Sequence, residues 1–182
     1  LANDTGIAVN TAKAWLSLLE ASYIVYLIQP YYKNFRKRLI KSPKLYFYDT
    51  GVACSLLKLS NPEMINTHYL YGSLFENLVI TEVLKNQCHW GKRPSVYYWH
   101  ESNGTEIDCI IEQGNNQIVA IEIKGGQTFT KDYMKNLRNF AKDENGVRIN
   151  KVIVYAGDQS TNIKDIELIP WNMLSTKINT LI

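Results

Sequence analysis

The chain has 182 residues, 46% of them hydrophobic and 20% charged, with a formal net charge of +3. That length suits one domain of ordinary size, or one with an appendage, and the composition excludes a disordered tail or a collagen-like repeat. No apolar run approaches the ~20 residues of a spanning helix, and Cys54, Cys88 and Cys109 are too scattered for a disulfide framework or zinc ribbon, so a cytoplasmic protein with no membrane partner is expected.

The charge is uneven. Residues 1–60 carry eight Lys/Arg against three acids, and residues 61–182 carry twelve against fourteen. A basic first third and an acidic remainder suggest two functional parts. The chain opens at Leu1, inside a helical pattern and without a signal peptide, and is expected to be a piece of a longer protein.

Residues 1–5 read as the end of a helix, and Gly6 as the turn that follows. Asn10 is a plausible N-cap for a helix with the apolar stripe Ala12, Ala14, Trp15, Leu18 and Leu19, which predicts Trp15, Leu18 and Leu19 in the core. Tyr23–Gln29 and Lys44–Tyr48 are aromatic and β-branched and predict two strands. Between them lie Lys33, Arg36, Lys37, Arg38 and Lys41. Helix, turn, helix and basic hairpin resemble a winged helix-turn-helix lacking its first helix. In such a fold Thr11 and Lys13 would start a recognition helix in the major groove and the basic wing would contact phosphate. A winged helix that packs only on neighbouring domains fits the same pattern.

Leu74, Phe75, Leu78, Val79, Val83 and Leu84 predict an amphipathic helix starting near Ser73. Glu76 shares a sector with Val79, Ile80 and Val83, and spacing leaves it either inward or at a wet edge. Val96–His100 is a strand, and Asn103-Gly104 a hairpin turn. Thr105–Glu112 follows, with Ile107, Cys109 and Ile111 on one face and Glu106, Asp108 and Ile110 on the other. After a turn at 113–116, Gln117–Lys124 places Val119, Ile121 and Ile123 on one face and Ile118, Ala120, Glu122 and Lys124 on the other. Lys131–Lys142 predicts a helix and Lys151–Ala156 a buried strand parallel to the Glu122 strand. Ile166–Ile169 reads as an edge strand, and Pro170 as the start of a last helix to about Lys177. The expected fold is α/β (α+β), a mixed sheet with helices on its faces.

Asp108, thirteen residues, then Glu122-Ile123-Lys124 on a strand, with Glu76 on an upstream helix, resembles the PD-(D/E)XK restriction-endonuclease-like superfamily. Asp108 lacks the preceding Pro common there. The stretches Lys41-Ser-Pro-Lys-Leu-Tyr-Phe-Tyr-Asp-Thr-Gly51, Gly72-Ser-Leu-Phe-Glu-Asn77, Tyr97-Tyr-Trp99, Gly104-Thr-Glu-Ile-Asp108 and Ile121-Glu-Ile-Lys-Gly125 are also similar to a domain of unknown function. That domain lies C-terminal to the AAA-type ATPase module of many bacterial and archaeal proteins. The resemblance implies a winged helix-turn-helix over residues 1–60, a linker at 61–68 and a nuclease-like domain over 69–182. It implies an ATPase module N-terminal in the same full-length chain, DNA as partner, and a Mg²⁺- or Mn²⁺-dependent endodeoxyribonuclease site.

In that site Asp108 and Glu122 would offer hard oxygen ligands to the ion, with the Ile123 carbonyl as a third. Lys124 would orient water or offset charge on the phosphate. The resemblance adds Glu76 to the metal shell, and Glu106 would stand behind Asp108. A non-catalytic DNA- or protein-binding module that scaffolds the ATPase is the alternative, with Glu122 and Lys124 as a surface pair. The chain has no Gly-x-x-x-x-Gly-Lys-Ser/Thr loop and so no ATPase motif of its own, and its oligomeric state stays open.

Overall fold

The computed structural model describes residues 5–31, 41–102, 104–140 and 146–181. In chain order these form α1 (Val9–Ala21), β1 (Val25–Pro30), β2 (Lys44–Phe47), α2 (Thr50–Leu56), α3 (Pro62–Thr67), α4 (Tyr71–His89), β3 (Val96–His100), β4 (Glu106–Gly114) and β5 (Gln117–Lys124). A 3₁₀ turn at Lys131–Met134 runs into α5 (Lys135–Phe140), followed by β6 (Arg148–Tyr155), β7 (Thr161–Ile163), β8 (Ile166–Pro170), a 3₁₀ turn at Trp171–Met173 and α6 (Leu174–Leu181).

The strands form one mixed sheet in the order β2-β1-β3-β4-β5-β6-β8-β7. Pairs β1–β3, β5–β6 and β6–β8 are parallel, and the rest antiparallel. The helix between β5 and β6 is the crossover that their parallel pairing needs. Apolar layers cover both faces. On one, Phe75, Val79, Ile80 and Val83 of α4 meet Cys109, Ile111, Val119, Ile121 and Ile123. On the other, Met134, Leu137 and Phe140 meet Trp99, Ile107, Ile110, Ile118, Ala120 and Ile153. Strands β4 and β5 are therefore buried from both sides, which is why they read as near-continuous apolar runs. The two-residue loop Asn115-Asn116 joins them, with both φ angles positive (46° and 62°), as a tight hairpin twisted like its strands requires.

Several expectations need correction. Ile107 packs with Ile110 and Trp99, not with Cys109 and Ile111. The register explains it: Tyr97 faces Ile110 and Trp99 faces Ile107, so two steps on β3 span three on β4. The extra residue is a β-bulge within Ile107–Ile110, where Asp108 sits, and it breaks the alternation. Strand β8 is not an edge, because the short, weakly apolar β7 folds back on its outer side. Pro170 ends β8, and α6 starts only at Leu174.

Helix α1 starts at Val9 with Ala8 in the cap position and no side-chain cap, and α4 starts at Tyr71 before Ser73, so neither Asn10 nor Ser73 caps a helix. Trp15 and Leu18 are 58% and 65% exposed. The inward side of α1 is Ala12, Leu16 and Leu19, which are half-buried, and Trp15 and Leu18 face outward. Segment 61–68, expected as a linker, holds α3, whose first turn is capped by Asn61 (Oδ1 accepts from the Met64 N–H, 2.9 Å). The β1–β2 hairpin joins the common sheet through Gln29↔Tyr97 and Pro30↔Tyr98.

Candidate metal and phosphate site

The β4–β5 pairing runs to Cys109↔Ile121. Asp108 and Glu122 are the next residues on each strand beyond that pair. At this step the ladder gives way to a side chain, since the Ile123 N–H donates to Asp108 Oδ2 at 2.7 Å. The N–H and C=O of a strand residue point to the same edge, so the Ile123 carbonyl also faces β4. Asp108 is 8% exposed and Glu122 2%.

Glu122 Oε1 accepts from the Lys124 ammonium at 2.7 Å and from the Asn136 amide of α5 at 3.1 Å. Its other oxygen, Oε2, is buried without a hydrogen-bond partner. A buried carboxylate oxygen left bare costs free energy unless something occupies it. Period two places Lys124 beside Glu122, and Ile121 and Ile123 anchor the strand from the opposite face.

Glu76 enters from α4. Its Oε1 accepts from the Tyr46 hydroxyl at 2.5 Å and from Lys44 Nζ at 3.2 Å, so the side chain turns toward β2 rather than to open water. Lys44 also pairs with Glu106 and lies 5.3 Å from the centroid of the Tyr98 ring. Four acids and two lysines thus share one electrostatic environment: Glu76, Glu106, Asp108 and Glu122 with Lys44 and Lys124.

Burial raises the Asp108 carboxyl well above the usual range, Glu122 and Glu76 add to the rise, and Lys124 and the Ile123 N–H offset only part of it. Glu122 is raised by burial, with Lys124 and Asn136 opposing. Burial alone would lower both lysines, but Glu76 and Glu106 at Lys44, and Glu122 and Asp108 at Lys124, reverse the sign and hold them charged. Burial, then Glu76, keeps the Tyr46 hydroxyl protonated as a donor.

Among the described residues no three His, Cys, Asp or Glu side chains gather as a ready-made metal cage. The donor chemistry still fits a divalent cation: two buried carboxylates on adjacent strands, Glu122 with one bare oxygen and Asp108 held by the Ile123 N–H.

The remaining residues singled out from sequence lie elsewhere. Thr11 and Lys13 are exposed on α1, and Lys41 is exposed before β2. Lys33, Arg36, Lys37 and Arg38 lie outside the described residues, as does Asn103 of the expected turn. Sequence reading missed Lys44, Tyr46 and Asn136. Lys44 and Tyr46 are two apart on a strand and so share a face, a signal available in Lys44-Leu-Tyr-Phe but read there only as a strand. Nothing local in the sequence points Asn136 at Glu122.

No helix among the described residues is long and apolar enough to cross a membrane. Two uncharacterized proteins, from Mycobacterium bovis and Mycobacterium tuberculosis, are each 27% identical over 165 residues, which is 91% of this chain and 35% of theirs. The chain thus spans about a third of the length of the curated relatives it matches. Residues 1–63 match a second family, a domain of unknown function (DUF8612). The first of two family matches that divide the chain near the start of α4 covers residues 71–174, which hold Glu76, Asp108, Glu122 and Lys124, and by it the chain belongs to the family described as a domain of unknown function (DUF4143).

Proposed function

We propose that Asp108, Glu122 and Lys124 form a divalent-cation-dependent site for cleaving DNA phosphodiesters, in a PD-(D/E)XK-like domain behind a winged helix-turn-helix. The observation that carries this reading is Glu122: a carboxylate 2% exposed, on the strand next to that of Asp108, with Lys124 on one oxygen and no hydrogen-bond partner on the other. Asp108 and Glu122 would hold the ion, with the Ile123 carbonyl beside them and Glu76 behind. A bound Mg²⁺ or Mn²⁺ supplies an acidified water and charge neutralisation at phosphorus. The chain's own residues do the rest. Asn136 and Lys124 fix the Glu122 carboxylate, the Ile123 N–H fixes Asp108, and the charged Lys124 ammonium meets the negative charge that grows on the phosphate. The placement of this region after an ATPase module belongs to the same proposal, and so does DNA contact through Thr11, Lys13 and the 33–41 basic segment.

The test is a panel of single-stranded, duplex, nicked and branched DNA with Mg²⁺ or Mn²⁺, wild type beside Asp108→Ala. Cutting by wild type alone, stopped by chelator, is expected, with the variant slower by at least ~10³-fold. Equal cutting by both would remove Asp108 from the chemistry. A second reading, a non-catalytic binding module, draws on the two lysines that already neutralise half of the acid cluster. It predicts DNA or partner binding that is indifferent to Asp108→Ala.

A further inference from the structure

We propose that Lys44 is the built-in second cation of this site: the ammonium that β2 places between Glu76 and Glu106 stands where a second metal ion would otherwise be needed, so the carboxylates take one divalent ion, at Asp108 and Glu122. The inference rests on the metal-site reading above and deepens it.

Charge is the first argument. With a cation bound and all four carboxylates ionised, the two ammoniums leave a net charge of two negatives, which one divalent ion cancels. A second ion would leave the cluster, half of it buried, with two uncompensated positive charges, against one when Lys44 is replaced by a neutral residue. Position is the second. Lys44 Nζ is 3.2 Å from Glu76 Oε1 and pairs with Glu106 Oε1, so a single cation already holds the two acids that Asp108 and Glu122 do not use.

The third argument is that the ammonium is held in place rather than left to wander. Tyr98 donates its hydroxyl to the Ser42 carbonyl, two residues before Lys44, and presents its ring to the Lys44 charge. Asn77 grips the other end of β2, accepting from the Phe47 N–H at 2.7 Å and donating to the Phe47 carbonyl at 2.9 Å. Tyr46, next on the same face, holds Glu76 from the side opposite solvent. Lys44 is a positioning residue, supplied by the hairpin of the basic first third to an acid cluster of the second.

Manganese(II) alone is the probe, counted per chain by EPR of the free ion or by calorimetry, on the whole chain without DNA, so turnover does not enter the readout. Wild type is expected to bind one ion, Lys44→Met two, and Lys44→Arg one again. Adding Asp108→Asn to Lys44→Met should bring the count back to one. Lys44→Gln removes the charge but keeps a polar donor; it carries the same expectation as Lys44→Met and guards against a chain that does not fold. Two ions on wild type, or one on a folded Lys44→Met, would overturn the role of Lys44 and leave the metal site standing. No ion on wild type would overturn the metal site and this inference together. Failure of both neutral variants to fold would make Lys44 a structural brace and overturn it as well.

Discussion

Asp108 sets the pH behaviour of the site. Burial, then Glu122 and Glu76, raise its carboxyl above the value of the unfolded chain. The native state therefore keeps a proton that the unfolded chain releases, and stability contributed here is full at low pH and lost as pH rises through the native value. Asp108→Asn still accepts the Ile123 N–H and does not titrate. In chelator at pH 8 it is expected to melt about 2–6 °C above wild type, with the gain vanishing near pH 4. A gain that is the same at both pH values, or a loss at pH 8, would contradict the assignment. Saturating Mg²⁺ should raise the wild-type midpoint and leave Asp108→Asn unmoved, since ligand binding to the native state stabilises by mass action.

At the scale of elements, the bulge in β4 and the clamp on β2 carry the site. The bulge lets Asp108 leave the ladder and take the Ile123 N–H. The clamp is Asn77, whose amide satisfies both outward backbone groups of Phe47 and also reaches Thr50 and Thr81. Asn77→Ala would take the acceptor from the part-buried Phe47 N–H, while the Phe47 carbonyl keeps the Thr81 hydroxyl (3.2 Å), at about 1–2 kcal/mol, or roughly 2–8 °C in midpoint. Chemical denaturation of the variant would measure it, and a change below about 0.5 kcal/mol would show that β2 is held otherwise. The faces of β5 were legible, because strict alternation over eight residues has a single solution. Those of β4 were not, because a one-residue bulge leaves no composition signal. Glu76 was undecidable from helical spacing, since its orientation depends on Tyr46 and Lys44, some thirty residues earlier in the chain. Asn136 lies on a helix whose apolar stripe was readable and whose polar partner was not.

Taken whole, the molecule joins a basic first third to an acid cluster through one continuous sheet. The mixed sheet, its parallel β5–β6 step and its covering helices could be anticipated from period and crossover length. The outer β7 strand and the short helices α2 and α3 could not, being brief and weakly patterned. The outward turn of Trp15 and Leu18 shows why an apolar stripe alone does not fix which side of a helix is buried. If the basic segment meets phosphate, duplex affinity should fall with salt, and Arg36→Glu, Lys37→Glu and Arg38→Glu together should flatten the slope by about 0.9 for each phosphate no longer neutralised. Asp108→Ala should leave that slope unchanged. A slope that is the same in the charge-reversed chain would place the DNA-binding surface elsewhere.

The Asn77 clamp has one more consequence. A sheet this rich in isoleucine and valine invites a neighbour to add a strand at any border left uncovered. At one border β7 is only three residues long. At the other, the hydrogen-bonding groups of Phe47 that a visiting strand would seek are already taken by a side chain of the same molecule. Loss of Asn77 should free those groups and appear in light scattering as growing aggregates even at temperatures where the remaining fold persists.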